Sequence, residues 1–69
     1  MKRNDGFCYR LQKLRERRRV KRSVMSELCG FRSNVIGKFE RGERIPRADQ
    51  LATMAEYLGV TIDYLWFGE

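Results

Sequence analysis

Apolar side chains recur along this chain at helical spacing. Phe7, Leu11 and Leu14 fall at i, i+4 and i+7, which predicts an amphipathic helix over about residues 6–18. Asn4 or Asp5 can cap its start. Met25, Leu28 and Cys29 predict a second helix over about 22–29, and Gly30 stands where a left-handed residue closes a helix. Ile36 and Phe39 predict a third helix over about 33–41, closed by Gly42. Residues 43–47 read as a loop, because Pro46 cannot continue a helix but readily precedes one. Leu51, Met54, Ala55 and Leu58 predict a fourth helix over about 48–58, closed by Gly59. Thr61 is a good N-cap for a last helix over about 62–67. No stretch alternates with period two long enough to predict a strand. Short helices joined by glycine-stopped turns predict one compact all-α domain, a five-helix bundle over 1–69.

Two charged residues interrupt the apolar faces. Arg15 lies four residues after Leu11, and Glu40 follows Phe39, so both sit at or beside the inner surface. A buried guanidinium is costly unless paired. Either the two meet, or both reach solvent along their stems; the residues alone leave both open.

Composition narrows the functional classes. With 69 residues, two domains or a large catalytic cleft do not fit. No apolar run approaches the ~20 residues of a membrane span. Met1-Lys2-Arg3 is basic, but no secretory apolar segment follows it. The expected compartment is the cytosol. With no histidine and two cysteines, the chain lacks the ligands of a zinc site. Cys8 and Cys29 read as reduced thiols, with Cys29 a small apolar core residue. There is no GxSxG, no phosphate-binding glycine loop and no carboxylate cluster, so neither an enzyme nor a cofactor is expected.

Charge is the positive clue. The net charge is +6. Residues 1–22 hold ten basic and two acidic side chains, residues 23–47 five and three, and residues 48–69 none and four. A chain polarised in this way presents one positive side, as polyphosphate binding requires.

A short helix, a glycine turn and a second helix across residues 22–41 form the pattern of a helix-turn-helix. Read whole, the chain resembles the Cro and phage-repressor (XRE-type) family. Arg10-Leu11-Gln12-Lys13-Leu14-Arg15 looks like that family's opening. Met25-Ser26 with Cys29-Gly30-Phe31 stands at its first helix and turn. Ile36-Gly37-Lys38-Phe39-Glu40-Arg41-Gly42, with Arg44-Ile45-Pro46, matches its second helix and the loop after it. Leu51, Met54-Ala55 and Leu58-Gly59-Val60-Thr61, followed by Ile62-Asp63 and Leu65, complete an ordered match over about 10–68.

The resemblance implies a lambda-repressor-like DNA-binding domain, with Arg15 paired to Glu40. It implies that Ser33, Asn34 and Lys38 read bases in double-stranded DNA, and that a homodimer meets an operator of twofold symmetry. The chemistry agrees. If Ile36 and Phe39 face the core, then Ser33, Asn34, Gly37, Lys38 and Arg41 face outward. Asn34 can bond adenine bidentately, and Lys38 can donate to guanine. Arg22, Arg32, Arg41 and Arg44 border this surface and suit phosphates. The expected function is a transcriptional regulator, a repressor, with no small-molecule effector. An antitoxin of the same fold is the alternative. The run Arg15–Arg22 could also be taken as an arginine-rich RNA-binding segment.

The chain departs from the family at its caps. Lys21, Arg32 and Arg47 stand where Ser, Thr or Asn usually caps the second, third and fourth helices, and Arg22 replaces a common Gln. Either a phosphate at these termini compensates, or Ser23 and Ser33 cap one residue later. Tyr64-Leu65-Trp66-Phe67 puts four apolar residues on a helix of under two turns. Not all of them can point inward. Tyr64 and Trp66 are therefore expected at a dimer contact formed by the end of helix 4 and helix 5. In the competing arrangement, Trp66 and Phe67 fold back over Phe7.

Overall fold

The computed structural model describes residues 3–69; the basic opening read at Met1 and Lys2 lies outside them. Five helices follow one another: α1 (Asp5–Arg17), α2 (Arg22–Leu28), α3 (Val35–Glu40), α4 (Ala48–Leu58) and α5 (Ile62–Phe67), with no strand among the described residues. The bundle is all-α, as the apolar spacing predicts. Helix α1 packs on α3 and α5, α2 packs on α3, and α4 packs on α5.

Phe7 sits at the centre of the core. Its ring meets Phe39 edge-on at 6.4 Å and Trp66 at 5.0 Å. Leu11, Met25, Ile36, Met54 and Leu65 are fully buried around it. Leu28 differs from expectation and is exposed. The inner arc of α2 is centred between Met25 and Ser26, and Leu28 rotates away from it by about 100°. Cys29 is half-buried against the core. Both cysteines are free thiols.

The helix ends account for the boundaries. The Asn4 side chain accepts from the Phe7 amide at 2.9 Å and so caps α1. The Thr61 hydroxyl accepts from the Tyr64 amide at 2.9 Å and caps α5. Gly30 takes φ 77° after α2, and the Phe31 amide donates to the Ser26 carbonyl at 2.8 Å. A side chain there would strain the left-handed backbone. Helix α3 begins later than expected. Arg32 to Val35 form a turn closed by Val35 N–H to Arg32 C=O, so Asn34 rather than Arg32 holds the N-cap position.

None of Lys21, Asn34 and Arg47 caps its helix through its side chain. Among the described residues, Ser23 and Ser33 do not take over. At α4 the bond runs the other way, with the Gln50 side-chain oxygen accepting from the Arg47 amide at 2.9 Å.

Helices α1 and α5 are also tied by polar bonds. Arg10 donates from Nε to the Leu65 carbonyl at 3.0 Å and from Nη2 to the Trp66 carbonyl at 2.7 Å. Asn4 Nδ2 donates to the Trp66 carbonyl as well, at 2.8 Å. These bonds satisfy carbonyls that the end of a helix leaves without partners.

Candidate nucleic-acid interface

Helix α3 is fixed from two sides. Ile36 and Phe39 bury their side chains in the core. From α2, the fully buried Ser26 hydroxyl accepts from the Ile36 amide at 3.0 Å and donates to the Arg22 carbonyl at 2.9 Å. One hydroxyl thus sets the separation of the two helices. Sequence reasoning missed this role, because a serine between Met25 and Cys29 looks like any small helix residue.

Glu40, at the end of α3, holds two arginines. Arg15 Nε donates to Glu40 Oε2 at 2.6 Å and Nη2 to Oε1 at 3.2 Å, while Nη1 donates to the Val20 carbonyl at 2.8 Å. The Arg15 and Glu40 side chains are 10% and 2% exposed, so the pair is taken out of water. The hydrogen bond to Glu40 pushes the Arg15 guanidinium above its ordinary value, although burial works against it. Arg22 Nε donates to Glu40 Oε1 at 2.9 Å, with its own side chain half-exposed.

The outward face of α3 opens on a cleft of about 460 Å³ lined by Arg15, Lys21, Arg22, Ser23, Ser33, Asn34, Gly37 and Arg41. Four cations line it, and no carboxylate does. Ser33 and Asn34 are exposed beside it. Lys38 is half-buried and lies outside the lining, as do the exposed Arg32 before α3 and Arg44 after it. Arg41 is exposed and bound to Glu43, with Nε to Oε2 at 2.9 Å. That hydrogen bond raises the guanidinium from its ordinary range and lowers the Glu43 carboxyl.

Gly37 is corrected: it is buried rather than open to solvent. The side chains of Arg22 and Arg41 cover it. A Cβ at Gly37 would lie 3.0 Å from Arg41 Nη1 and 3.4 Å from Arg22 Cδ.

The family model of the helix-turn-helix domain matches residues 9–65. The chain belongs to that family. The fold of this helix-turn-helix domain is also that of the P22 c2 repressor protein, whose crystal structure is of its complex with synthetic operator 9T in the presence of Tl+. The TM-score is 0.86 at 22% identity, covering 91% of this chain and 96% of that one. No curated protein matches it by sequence.

The remaining basic run is divided in this helix-turn-helix domain. Arg17 ends α1, Arg18 stacks on the Tyr57 ring at 5.0 Å, and Arg19 turns the chain with φ 56°. Larger clefts of about 520 and 610 Å³ share Leu14, Arg17 and Tyr64 near α1 and α5, and hold none of Ser33, Asn34 or Lys38.

The Trp66 ring lies on Phe7 and is half-buried against the core, as in the competing arrangement read from the sequence. Tyr64 and Phe67 carry the exposed aromatic surface of α5, at 38% and 67% exposure. No described helix is long and apolar enough to cross a membrane.

Proposed function

We propose that the chain is a sequence-specific regulator of transcription, a repressor, that binds double-stranded DNA with α3 in the major groove. The observation that carries this reading is the cleft on the outer face of α3. It joins exposed hydrogen-bonding side chains, Ser33 and Asn34, to four cations, of which Arg15, Arg22 and Arg41 are anchored by Glu40 and Glu43 outside the lining. Bases are read by side chains such as Asn34, and phosphates are held by cations around them. Lys38 reads a base from the edge of the cleft. Arg32, Arg41 and Arg44 hold the backbone. The P22 c2 repressor, of the same fold and in complex with a synthetic operator, supports an operator as the ligand.

The operator is symmetric and the working form is a homodimer, since a helix of this motif reads only one half-site. Selection of bound sites from random duplexes tests the reading. The wild type is expected to enrich a site with inverted half-sites. Asn34→Ala and Lys38→Ala are each expected to cost ~1–3 kcal/mol on that site and little on random DNA. If each monomer neutralises several phosphates, log K should fall with log[salt] at a slope of about −5 to −9 for the dimer. A slope shallower than about −2 would exclude duplex DNA as the ligand.

A further inference from the structure

The surface that runs from the turn before α3 along its outer side carries Ser33, Asn34, Lys38 and Arg41 and has no side chain at Gly37. Two arginines cover that position, Arg41 from the end of α3 and Arg22 from another helix. Arg22 belongs to α2, yet its Cδ would stand 3.4 Å from a Cβ at Gly37, so its stem crosses the face of α3 where residue 37 has nothing to present. Glu40 holds the Arg22 guanidinium there through Nε alone. Among the described residues, Nη1 and Nη2 of Arg22 have no hydrogen-bond partner. Arg41 is placed differently, with both Nε and Nη2 committed to Glu43.

An arginine with both Nη groups free can donate to two acceptors at once. Guanine presents such a pair, O6 and N7, in the major groove. The carboxylate behind Arg22 fixes its orientation before binding, which lowers the ordering cost of a long side chain. Arg22 also lines the same cleft as Ser33 and Asn34, so it faces whatever they face.

We infer that Arg22 is a base-reading residue that specifies guanine, presented across Gly37 and aimed by Glu40. Its position beside the phosphate-binding cations is not its role. The inference rests on the duplex reading proposed above and adds to it a residue that reads guanine in each half-site.

Site selection with wild type, Arg22→Ala, Arg22→Lys and Gly37→Ala tests it, with helicity and thermal unfolding measured for each variant. Wild-type sites are expected to hold a fixed guanine in each half-site. Arg22→Ala and Arg22→Lys should both lose that guanine by about fivefold or more while the other positions persist. Lysine keeps the charge but not the two-pronged geometry, so Arg22→Lys should retain the salt slope. Gly37→Ala should keep its fold, since alanine favours a helix over glycine. It should leave the guanine preference intact, because its methyl group meets the Arg22 stem at an ordinary 3.4 Å and displaces Arg41 Nη1, at 3.0 Å, instead.

The inference is overturned if Arg22→Ala leaves every base preference intact, weakens all duplexes equally and lowers the salt slope by about one. That is the behaviour of a phosphate contact. A wild type that enriches no site at all would sink the duplex reading itself, and this assignment with it. The two failures are therefore told apart by the wild-type arm.

Discussion

Glu40 serves two arginines whose environments differ, and that difference sets their energetic weight. Arg15 shares a site with Glu40 from which water is nearly excluded. Removing one partner there strands a buried charge, so Arg15→Ala or Glu40→Gln should cost about 3 kcal/mol or more by denaturant unfolding. Arg22 is half-exposed, and Arg22→Ala should cost less than about 1 kcal/mol. A double-mutant cycle for Arg15 and Glu40 with coupling near zero would show that the contact carries no such energy.

Half of this site was legible in the sequence. A guanidinium beside Leu14 and a carboxylate beside Phe39 left pairing and solvent reach both open, and the resemblance to the repressor family implied the pair. The attachment of Arg22 was not legible, because nothing in a helical repeat says that a glycine on one helix makes room for an arginine from another. The thiols are a simpler case. Burial pushes Cys29 up from its ordinary pKa, and burial followed by the charge of Asp5 pushes Cys8 up. The folded state therefore holds the thiol proton more tightly than the unfolded chain does. That stabilisation is complete below the ordinary thiol pKa of about 8.5 and fades as pH rises through the raised folded values. Alkylation by iodoacetamide at pH 8 should be slower in the folded chain than in denaturant at both positions. Equal rates would contradict the burial effect.

Helix lengths and helix ends followed from different signals, and they were not equally readable. The bounds of α4 came directly from apolar spacing between Pro46 and Gly59, and the start of α5 from the Thr61 cap. Helix α3 was read two residues too long at its start, because Ser33 and Asn34 are competent helix residues held instead in a turn. The relation between α2 and α3 rests on Ser26, which no periodicity marks. Ser26→Ala removes the only hydrogen bond that crosses from α2 to the α3 amide at Ile36 among the described residues. A buried N–H is then left without a partner, at a cost of about 1–3 kcal/mol. Ser26→Thr adds a methyl group to a fully buried site and should also destabilise, by overpacking. Hydrogen exchange can read the effect locally. In Ser26→Ala the Ile36 amide should lose protection more than the amides of α4. A uniform change across all five helices would mean that Ser26 contributes to the fold at large and does not set the α2–α3 spacing. The uncapped starts of α2 and α3 belong to the same scale. At α3 the missing Asn34 cap is largely made good, because the Val35 amide donates to the Arg32 carbonyl and the Ile36 amide to the Ser26 hydroxyl.

At the scale of the whole molecule, the cationic cleft and the exposed rings lie on different helices. The cleft lies on α2 and α3, whereas Tyr64 and Phe67 are exposed on α5, with Arg10, Lys13 and Arg17 as well as Asp63 near Tyr64. If two copies join through α5, their α3 helices should read half-sites one turn of DNA, about 34 Å, apart. The sequence placed Trp66 at this contact by counting apolar neighbours. The structure divides the four residues differently, because Leu65 and Trp66 turn towards Phe7 and leave Tyr64 and Phe67 outside. That division makes the dimer testable with paired variants. Trp66→Ala removes a ring from the core and should lower stability by about 3 kcal/mol, with its effect on self-association following from unfolding. Phe67→Ala and Tyr64→Ala remove exposed rings and should change monomer stability by no more than about 0.5 kcal/mol. If α5 is the contact, both should weaken cooperative binding to a symmetric site while binding to an isolated half-site stays as in the wild type. Analytical ultracentrifugation of each variant, alone and with duplexes carrying one or two half-sites, separates the effects. If the Phe67 and Tyr64 variants bind the full site as cooperatively as the wild type, the exposed rings of α5 do not join the two copies, and the contact must be sought on another face.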